Sequence, residues 1–197
     1  MTDLNEDERG PQMTTPLTSP PITDALRAQA RAHPGEWVYA VDPEFDGSDR
    51  VPPEGIVGAW RADENGELSG EFTPNPRYVP SPPARGWPVP ASKLERVLQL
   101  VRAGHAPGEQ LDREFASSDV FVYSRPEGGI FVAPDGDDGR LAYAFTNAAK
   151  AMASGYAEHT VIRGDQLAAA LPEGVRIGLN PGSEVSVIID PADITSA

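Results

Sequence analysis

The chain has 197 residues, of which 16 are basic and 30 acidic, so its net charge is −14 and its pI is near 4.5. This charge argues against nucleic acid and anionic lipid as partners, because phosphate groups are repelled at long range. The absence of cysteine excludes disulfides, thiolate zinc sites and cysteine nucleophiles.

Residues 1–21 are polar, acidic and rich in proline, and they predict a disordered tail because they hold too few apolar groups to offset the entropy of ordering. The opening MTDLNEDERGPQ lacks the apolar run of a secretory signal. No run of 18 apolar residues follows, so we expect no membrane span and a cytoplasmic protein.

Residues 22–90 predict an N-terminal α+β domain. Thr23 can cap a short amphipathic helix that ends at Pro34-Gly35. Two β-branched and aromatic runs, EWVYAV and GIVGAW, predict strands, and Asn65-Gly66 predicts a hairpin to a third strand that ends near Phe72.

The domain closes with TPNPRYVPSPPARGWPVP, residues 73–90, whose seven prolines predict an extended connector. Tyr78 and Trp87 must pack somewhere, because a passive linker would leave their rings in water. They either lie on the first sheet near Trp37 and Trp60, or form with Arg77 a docking surface for a protein partner.

Residues 91–116 predict two connecting helices. Ser92 and Glu95 have the spacing of a capping box, and the run LERVLQLV supplies the apolar face of the first helix, which should end near Gly104. The second helix is expected over residues 108–115, after Pro107.

Residues 117–197 predict a second α+β domain. We expect an antiparallel meander formed by the runs DVFVYS, GIFVA and RLAYAF. A short helix, a strand, a helix and two closing strands should follow it. The fold class is therefore α+β, with two small antiparallel-sheet subdomains flanked by short helices. The similarity of the two halves suggests the hypothesis of an internal duplication.

Sequence signals for catalysis or cofactor binding are weak. The chain contains no nucleophile elbow and no phosphate-binding glycine loop. Asp135 to Gly139 resembles the start of a calcium loop but lacks its closing glutamate, and His33, His105 and His159 are too far apart in sequence to indicate a metal site. We expect a protein that is not an enzyme, with no catalytic residue, no cofactor and no metal.

One short motif, Asn180-Pro181-Gly182-Ser183, lies between two alternating apolar runs. Proline sets φ for the second position of a turn, and glycine accepts the positive φ that a type II turn requires at the third. No helix follows Ser183, so the pattern favours a structural hairpin turn over a ligand-binding loop.

These residues also resemble known families. GVRIGLNPGSEVSVII, after the helix DQLAAALP, is similar to the closing hairpin of the SseB-like (enhanced serine sensitivity) domain. A second resemblance is to the type VII secretion system-associated proteins of actinobacteria. It is carried by PPITDALRAQARAHPGEWVYAVDPEFD, by VPPEGIVGAWRADENGEL and by residues 73–90, which we call the Pro-rich segment.

The resemblance implies a cytoplasmic accessory protein, an adaptor or chaperone-like factor, whose partner is a type VII secretion component or substrate. It implies no catalytic residue and no cofactor. Two alternatives remain open: an immunity protein whose negative charge suits a basic toxin, and an enzyme of unrecognised type.

Overall fold

We describe the protein from a computed structural model. The structure describes residues 19–125, 128–136, 139–155 and 158–194. Most of the predicted N-terminal tail and part of the Asp-rich run, Asp137 and Asp138, lie outside these ranges. The chain divides into two compact units, the first formed by residues up to Ala40 and Val57–Pro76, and the second by Val41–Ile56 and Arg77–Ala197.

The first unit is built on a three-stranded sheet in which β1, β2 and β3 lie side by side in chain order. β2 and β3 pair antiparallel, as the Asn65-Gly66 dipeptide predicts, and Gly66 takes the positive φ of 76° that the turn needs. Its elements are α1 (Asp24–Ala32), β1 (Trp37–Val41), β2 (Ile56–Ala62) and β3 (Leu68–Pro74).

Helix α1 begins where the sequence predicts, because the Thr23 hydroxyl accepts a hydrogen bond from the Leu26 N–H at 3.3 Å. Alternate residues of β1 then turn their side chains to the core. Val38 and Ala62 pack with Ala30 of the helix in a small apolar cluster. The core of this unit is thus a single layer between one helix and one face of the sheet.

The aromatic contact between β2 and β3 depends on a glycine. The rings of Trp60 and Phe72 lie 4.7 Å apart, and Trp60 is almost fully buried. A Cβ at Gly58 would lie 2.3 Å from the Phe72 ring, so only glycine leaves enough room for the ring at this position.

The second unit contains a six-stranded sheet, and its order is β7, β4, β6, β8, β9, with β5 paired to β6. Its elements are α2 (Lys93–Ala103), α3 (Gly108–Ser117), β4 (Asp119–Tyr123), β5 (Val132–Asp135), β6 (Gly139–Phe145), α4 (Ala148–Ala153), β7 (His159–Arg163), α5 (Gly164–Ala170), β8 (Val175–Leu179) and β9 (Val187–Ile189).

The α+β class is confirmed, but the second sheet is larger than the small antiparallel sheet that the sequence predicts, and it is mixed. β6 and β8 run parallel, with Ala142 opposite Ile177, because α4, β7 and α5 lie between them in the chain and carry it back to the same end of the sheet. Among the described strands, this topology has no counterpart in the three-stranded sheet, so strand order does not support an internal duplication.

The main core lies between one face of this sheet and helices α2, α3 and α5. Its fully buried members include Leu98, Phe115, Val122, Leu167 and Ile177. The opposite face carries a second cluster in which Tyr123 and Phe145 pack against Ala151 of α4. Both faces of the sheet are therefore partly covered by helices.

Helix α2 begins with the predicted capping box. The Glu95 N–H donates to the Ser92 hydroxyl at 3.1 Å, and the Glu95 carboxylate accepts the N–H of Ala91 at 2.8 Å. The carboxylate thus reaches one residue further back than the box predicts.

None of the helices in the described ranges has the length and hydrophobicity that a membrane crossing requires.

Candidate functional site

The second unit contains a buried carboxylate that the sequence pattern did not single out. Asp42 has no solvent exposure, and each of its oxygens accepts two hydrogen bonds. Oδ2 accepts the Tyr78 hydroxyl at 2.8 Å and the Ser81 N–H at 3.0 Å. Oδ1 accepts the Glu44 N–H at 2.9 Å and the Ser81 hydroxyl. Within the second unit, Asp42 thereby holds Tyr78 and Ser81 of the Pro-rich segment in place.

These bonds set the charge of the cluster. Burial raises the pKa of Asp42, but the hydrogen bonds, led by that of the Ser81 hydroxyl, outweigh burial and hold the pKa below its usual range. Burial and the bond to Asp42 raise the pKa of Tyr78. At neutral pH the pair is a carboxylate and a neutral phenol. Because four donors occupy the lone pairs of the carboxylate, Asp42 is suited to anchoring rather than to accepting a substrate proton.

The later part of the Pro-rich segment also packs within the second unit. Trp87 is half-buried and packs against the main core, a place that the sequence did not predict, and the Arg85 guanidinium lies 5.4 Å from the centre of its ring. The Gln99 side chain donates to the Pro88 carbonyl at 2.8 Å. After β3, proline leaves the segment without a strand ladder, so turns within it, such as the Trp87 N–H to the Pro82 carbonyl at 3.0 Å, and side chains such as Gln99 supply the hydrogen-bond partners.

The three residues predicted as a partner surface therefore differ in their surroundings. Tyr78 and Trp87 are half-buried, whereas Arg77 is exposed. Both rings have intramolecular partners, so the packing interpretation now has a structural basis in the second unit. A docking role for Arg77, Tyr78 and Trp87 stays a prediction.

The Asn180-Pro181-Gly182-Ser183 motif connects β8 to the segment that leads into β9. The Ser183 N–H donates to the Asn180 carbonyl at 3.1 Å, and Gly182 has φ 76°, which is the geometry of a type II turn. The sequence predicts the closing strand over EVSVII, from Glu184, but β9 begins only at Val187, three residues later.

Asn180 has a second role that its position in the turn did not reveal. It is buried, with φ 53°, and its side-chain oxygen accepts the Thr146 N–H at 2.9 Å. Its own N–H donates to the Ala144 carbonyl at 2.7 Å. Asparagine tolerates this left-handed conformation better than most residues, and its short amide reaches the end of β6. The turn is thus held in one place on the sheet.

This fixed turn borders an open pocket of about 550 Å³ in the second unit. Tyr123 of β4 and Tyr143 of β6 line it from the sheet, and Pro181, Gly182 and Ser183 line it from the turn. Helix α4 completes the lining with Lys150, Ala153 and Ser154. The volume lies within the range of pockets that bind small molecules.

Metal binding has no support in the described part of the chain, where no group of three His, Asp or Glu side chains comes together as ligands. The Asp135 carboxylate bonds instead to Arg176 at 2.7 Å. The remainder of the calcium-like run includes Asp137 and Asp138, which are not described.

The first unit presents aromatic rings to solvent. Trp37 is 46% exposed and Tyr39 49% exposed, while Val38 between them is fully buried. β1 lies at the edge of its sheet, so both rings stand on the solvent face of an edge strand. We call Trp37 and Tyr39 the β1 aromatic pair.

Local sequence signals explain part of this arrangement. Asp42 precedes Pro43-Glu44, a sequence typical of a capping aspartate, and it does cap a short 3-10 turn over Pro43–Phe45. The alternation in EWVYAV could have identified the β1 aromatic pair, because every second side chain of a strand shares a face. Nothing local connects Asp42 to Tyr78, 36 residues away.

Comparison with known proteins places the larger unit in a family. Residues 94–196 match the model of the SseB protein N-terminal domain, a span that begins in α2 and covers more than half of the chain. Searches of curated proteins and of solved structures find no match. The resemblance of the closing hairpin to the SseB-like domain is thereby confirmed, and the chain belongs to the family defined by the SseB protein N-terminal domain.

Proposed function

We propose that this protein is a non-enzymatic accessory protein of a type VII secretion system, which acts in the cytoplasm by binding a protein partner. The observation that carries the proposal is the β1 aromatic pair on the edge strand of the first sheet. Membership of the SseB family is compatible with an accessory role.

The β1 aromatic pair has the composition of a binding hot spot. Tryptophan and tyrosine are enriched among the residues that contribute most to interface energies, because each buries a large rigid surface at little entropic cost. Their half-exposed rings lose apolar contact with water when a partner covers them. An edge strand also offers backbone groups that can pair with an added strand.

The charge of the chain indicates what kind of partner fits. With 30 acidic and 16 basic residues, the protein attracts basic surfaces and repels acidic ones at long range. Such complementarity speeds association and discriminates against wrong partners. We therefore expect a basic protein or a basic segment of a larger one.

The secretion link rests on resemblance in the N-terminal part of the chain. Residues 22–90 resemble type VII secretion system-associated proteins, and the β1 aromatic pair lies in that part. The net charge of −14 also favours the second candidate, an immunity protein that covers the basic active site of a toxin. The identity of the captured protein separates the two.

The test is affinity capture from native cells with the tagged chain, followed by identification of the bound proteins. We expect a secretion component or substrate to be captured, and the double variant Trp37→Ser/Tyr39→Ser to lose it. The control is Val161→Ser, which replaces a side chain of similar exposure, 52%, on β7 at the edge of the other sheet.

Two other results of the capture experiment would contradict the proposal. Capture of one basic toxin whose activity the protein inhibits would support the immunity candidate instead. Equal capture by the wild type and the double variant, with both folded by circular dichroism, would contradict a role for the β1 aromatic pair.

A further inference from the structure

The pocket beside the Asn180 turn has properties that protein binding through the first unit does not use. All of its lining residues belong to the second unit. Two tyrosines, one lysine, one alanine, Ser154 and the turn residues 181–183 line a volume of about 550 Å³.

The turn that forms one side of the pocket is held by several hydrogen bonds. Asn180 is held by its bonds to Thr146 and Ala144, and the Ser183 N–H closes the turn. A buried polar pair of this kind specifies one position for the backbone. Pro181 and Gly182 therefore present a preformed surface, which lowers the entropic cost of binding a ligand.

Lys150 is the only formally charged residue among the described residues that line the pocket. Its ammonium lies 3.1 Å from Glu95 Oε1, while the other carboxylate oxygen of Glu95 accepts the Ala91 N–H. An ammonium group has three N–H donors, so the bond to Glu95 orients Lys150 without exhausting its donors. The Lys150 side chain is 27% exposed to solvent.

The tyrosines give the pocket an apolar and aromatic side. The rings of Tyr123 and Tyr143 lie 6.0 Å apart at 72°, in an edge-to-face arrangement, and Tyr123 also packs against Phe145 at 5.1 Å. Tyr123 is buried and Tyr143 half-buried, so both rings are held by the sheet. A flat apolar body fits such a surface better than a hydrated ion does.

We propose that this pocket binds a small aromatic carboxylate, with the carboxylate on Lys150 and the ring against Tyr123 and Tyr143. The lysine supplies a charge-assisted hydrogen bond, and the Ser183 hydroxyl is a further polar group at the same site, whereas the Ser154 hydroxyl donates to the Ala151 carbonyl. The net charge of −14 does not prevent this, because charges further than about 8 Å away are largely screened at physiological salt.

The experiment is a titration of the isotope-labelled full chain followed by amide NMR shifts. The probes are 3-phenylpropionate and its neutral analogue 3-phenylpropanamide, which differ in charge and not in shape. We expect saturable shifts at the amides of Lys150, Ser154, Gly182 and Ser183 with the carboxylate. The amide should bind about tenfold more weakly, because it loses the charge-assisted bond.

Two adjacent positions on α4 provide a matched pair of variants. Ala153→Trp places a ring in the pocket and should abolish binding of 3-phenylpropionate. Met152→Trp adds the same ring one residue earlier, at a side chain that is 67% exposed and outside the lining, and should leave the affinity unchanged.

The double variant Lys150→Met/Glu95→Gln removes the ammonium without leaving an unpaired buried carboxylate, so the chain should stay folded. It should bind 3-phenylpropionate as weakly as the wild type binds the amide. The proposal is overturned if no saturable shifts appear at the pocket, if the two probes bind equally, or if Met152→Trp weakens binding as much as Ala153→Trp. These outcomes are independent of partner capture by the β1 aromatic pair.

Discussion

The Tyr78 hydroxyl donates a 2.8 Å hydrogen bond to Asp42 Oδ2 across 36 positions of sequence. Ser81 adds two more bonds to the same carboxylate, one from its N–H and one from its hydroxyl. This cluster explains how the part of the Pro-rich segment that follows β3, residues 75–90, is held in place without strands or helices of its own.

Replacing Asp42 by Asn tests this anchor. Asparagine has one acceptor oxygen where aspartate has two, so at least one of the four donors loses its partner inside the protein. We expect the free energy of unfolding to fall by about 3 kcal/mol, measured by chemical denaturation. The control is Asp49→Asn at an exposed carboxylate, which should cost much less. Equal effects of the two variants would contradict the anchor.

The same cluster predicts an acid-dependent loss of stability. Because hydrogen bonds lower the pKa of Asp42 in the folded state, its contribution is fully present above the ordinary value of 3.8 and is lost as pH falls through the lowered pKa. The difference in stability between the wild type and Asp42→Asn should therefore shrink below pH 3.8. Denaturation curves at a series of pH values measure this difference in stability. A difference that stays constant down to the lowest pH at which the protein folds would contradict the lowered pKa of Asp42.

The turn predicts a cost for a side chain at Gly182. Its φ of 76° is unfavourable for a β-branched residue, so Gly182→Val should destabilise the second unit by about 1 to 3 kcal/mol. Space is not the reason, since a Cβ there would meet no atom within 4 Å. Gly70→Val is the control, because Gly70 lies in a strand without a positive φ and with equal space. Unchanged thermal stability of Gly182→Val would contradict the turn assignment.

Alanine variants in the Pro-rich segment separate packing from docking. Tyr78→Ala removes a partner of a buried carboxylate, and Trp87→Ala removes a ring that packs on the main core. Each should lower the free energy of unfolding by roughly 2 to 4 kcal/mol. Partner capture should change only as far as unfolding explains it.

The exposed Arg77 provides the complementary measurement, since a docking surface requires Arg77→Ala to reduce partner capture by more than its change in thermal stability explains. Intact melting of the Tyr78 and Trp87 variants together with lost capture would instead support the docking surface of Arg77, Tyr78 and Trp87. If the double variant Tyr78→Ala/Trp87→Ala changed neither stability nor capture, both interpretations would be wrong.

Local chemistry determined much of this protein. Thr23 and Ser92 cap the helices that their positions predict, because a hydroxyl beside the first turn satisfies N–H groups that lack helical partners. Pro181 and Gly182 determine a turn by their own φ preferences. The alternating apolar runs identified strands and the α+β class, and LNPGS with its flanking strands identified the SseB family.

Only the tertiary structure decided which distant residues meet. The parallel pairing of β6 with β8 depends on where α4, β7 and α5 return the chain, and no local pattern encodes it. Asp42 looks like a capping aspartate in sequence, yet its bonds to Tyr78 and Ser81 arise from packing of separate segments. The pocket beside Lys150 likewise combines two strands, a helix and a turn, because long-range contacts place side chains together that are far apart along the chain.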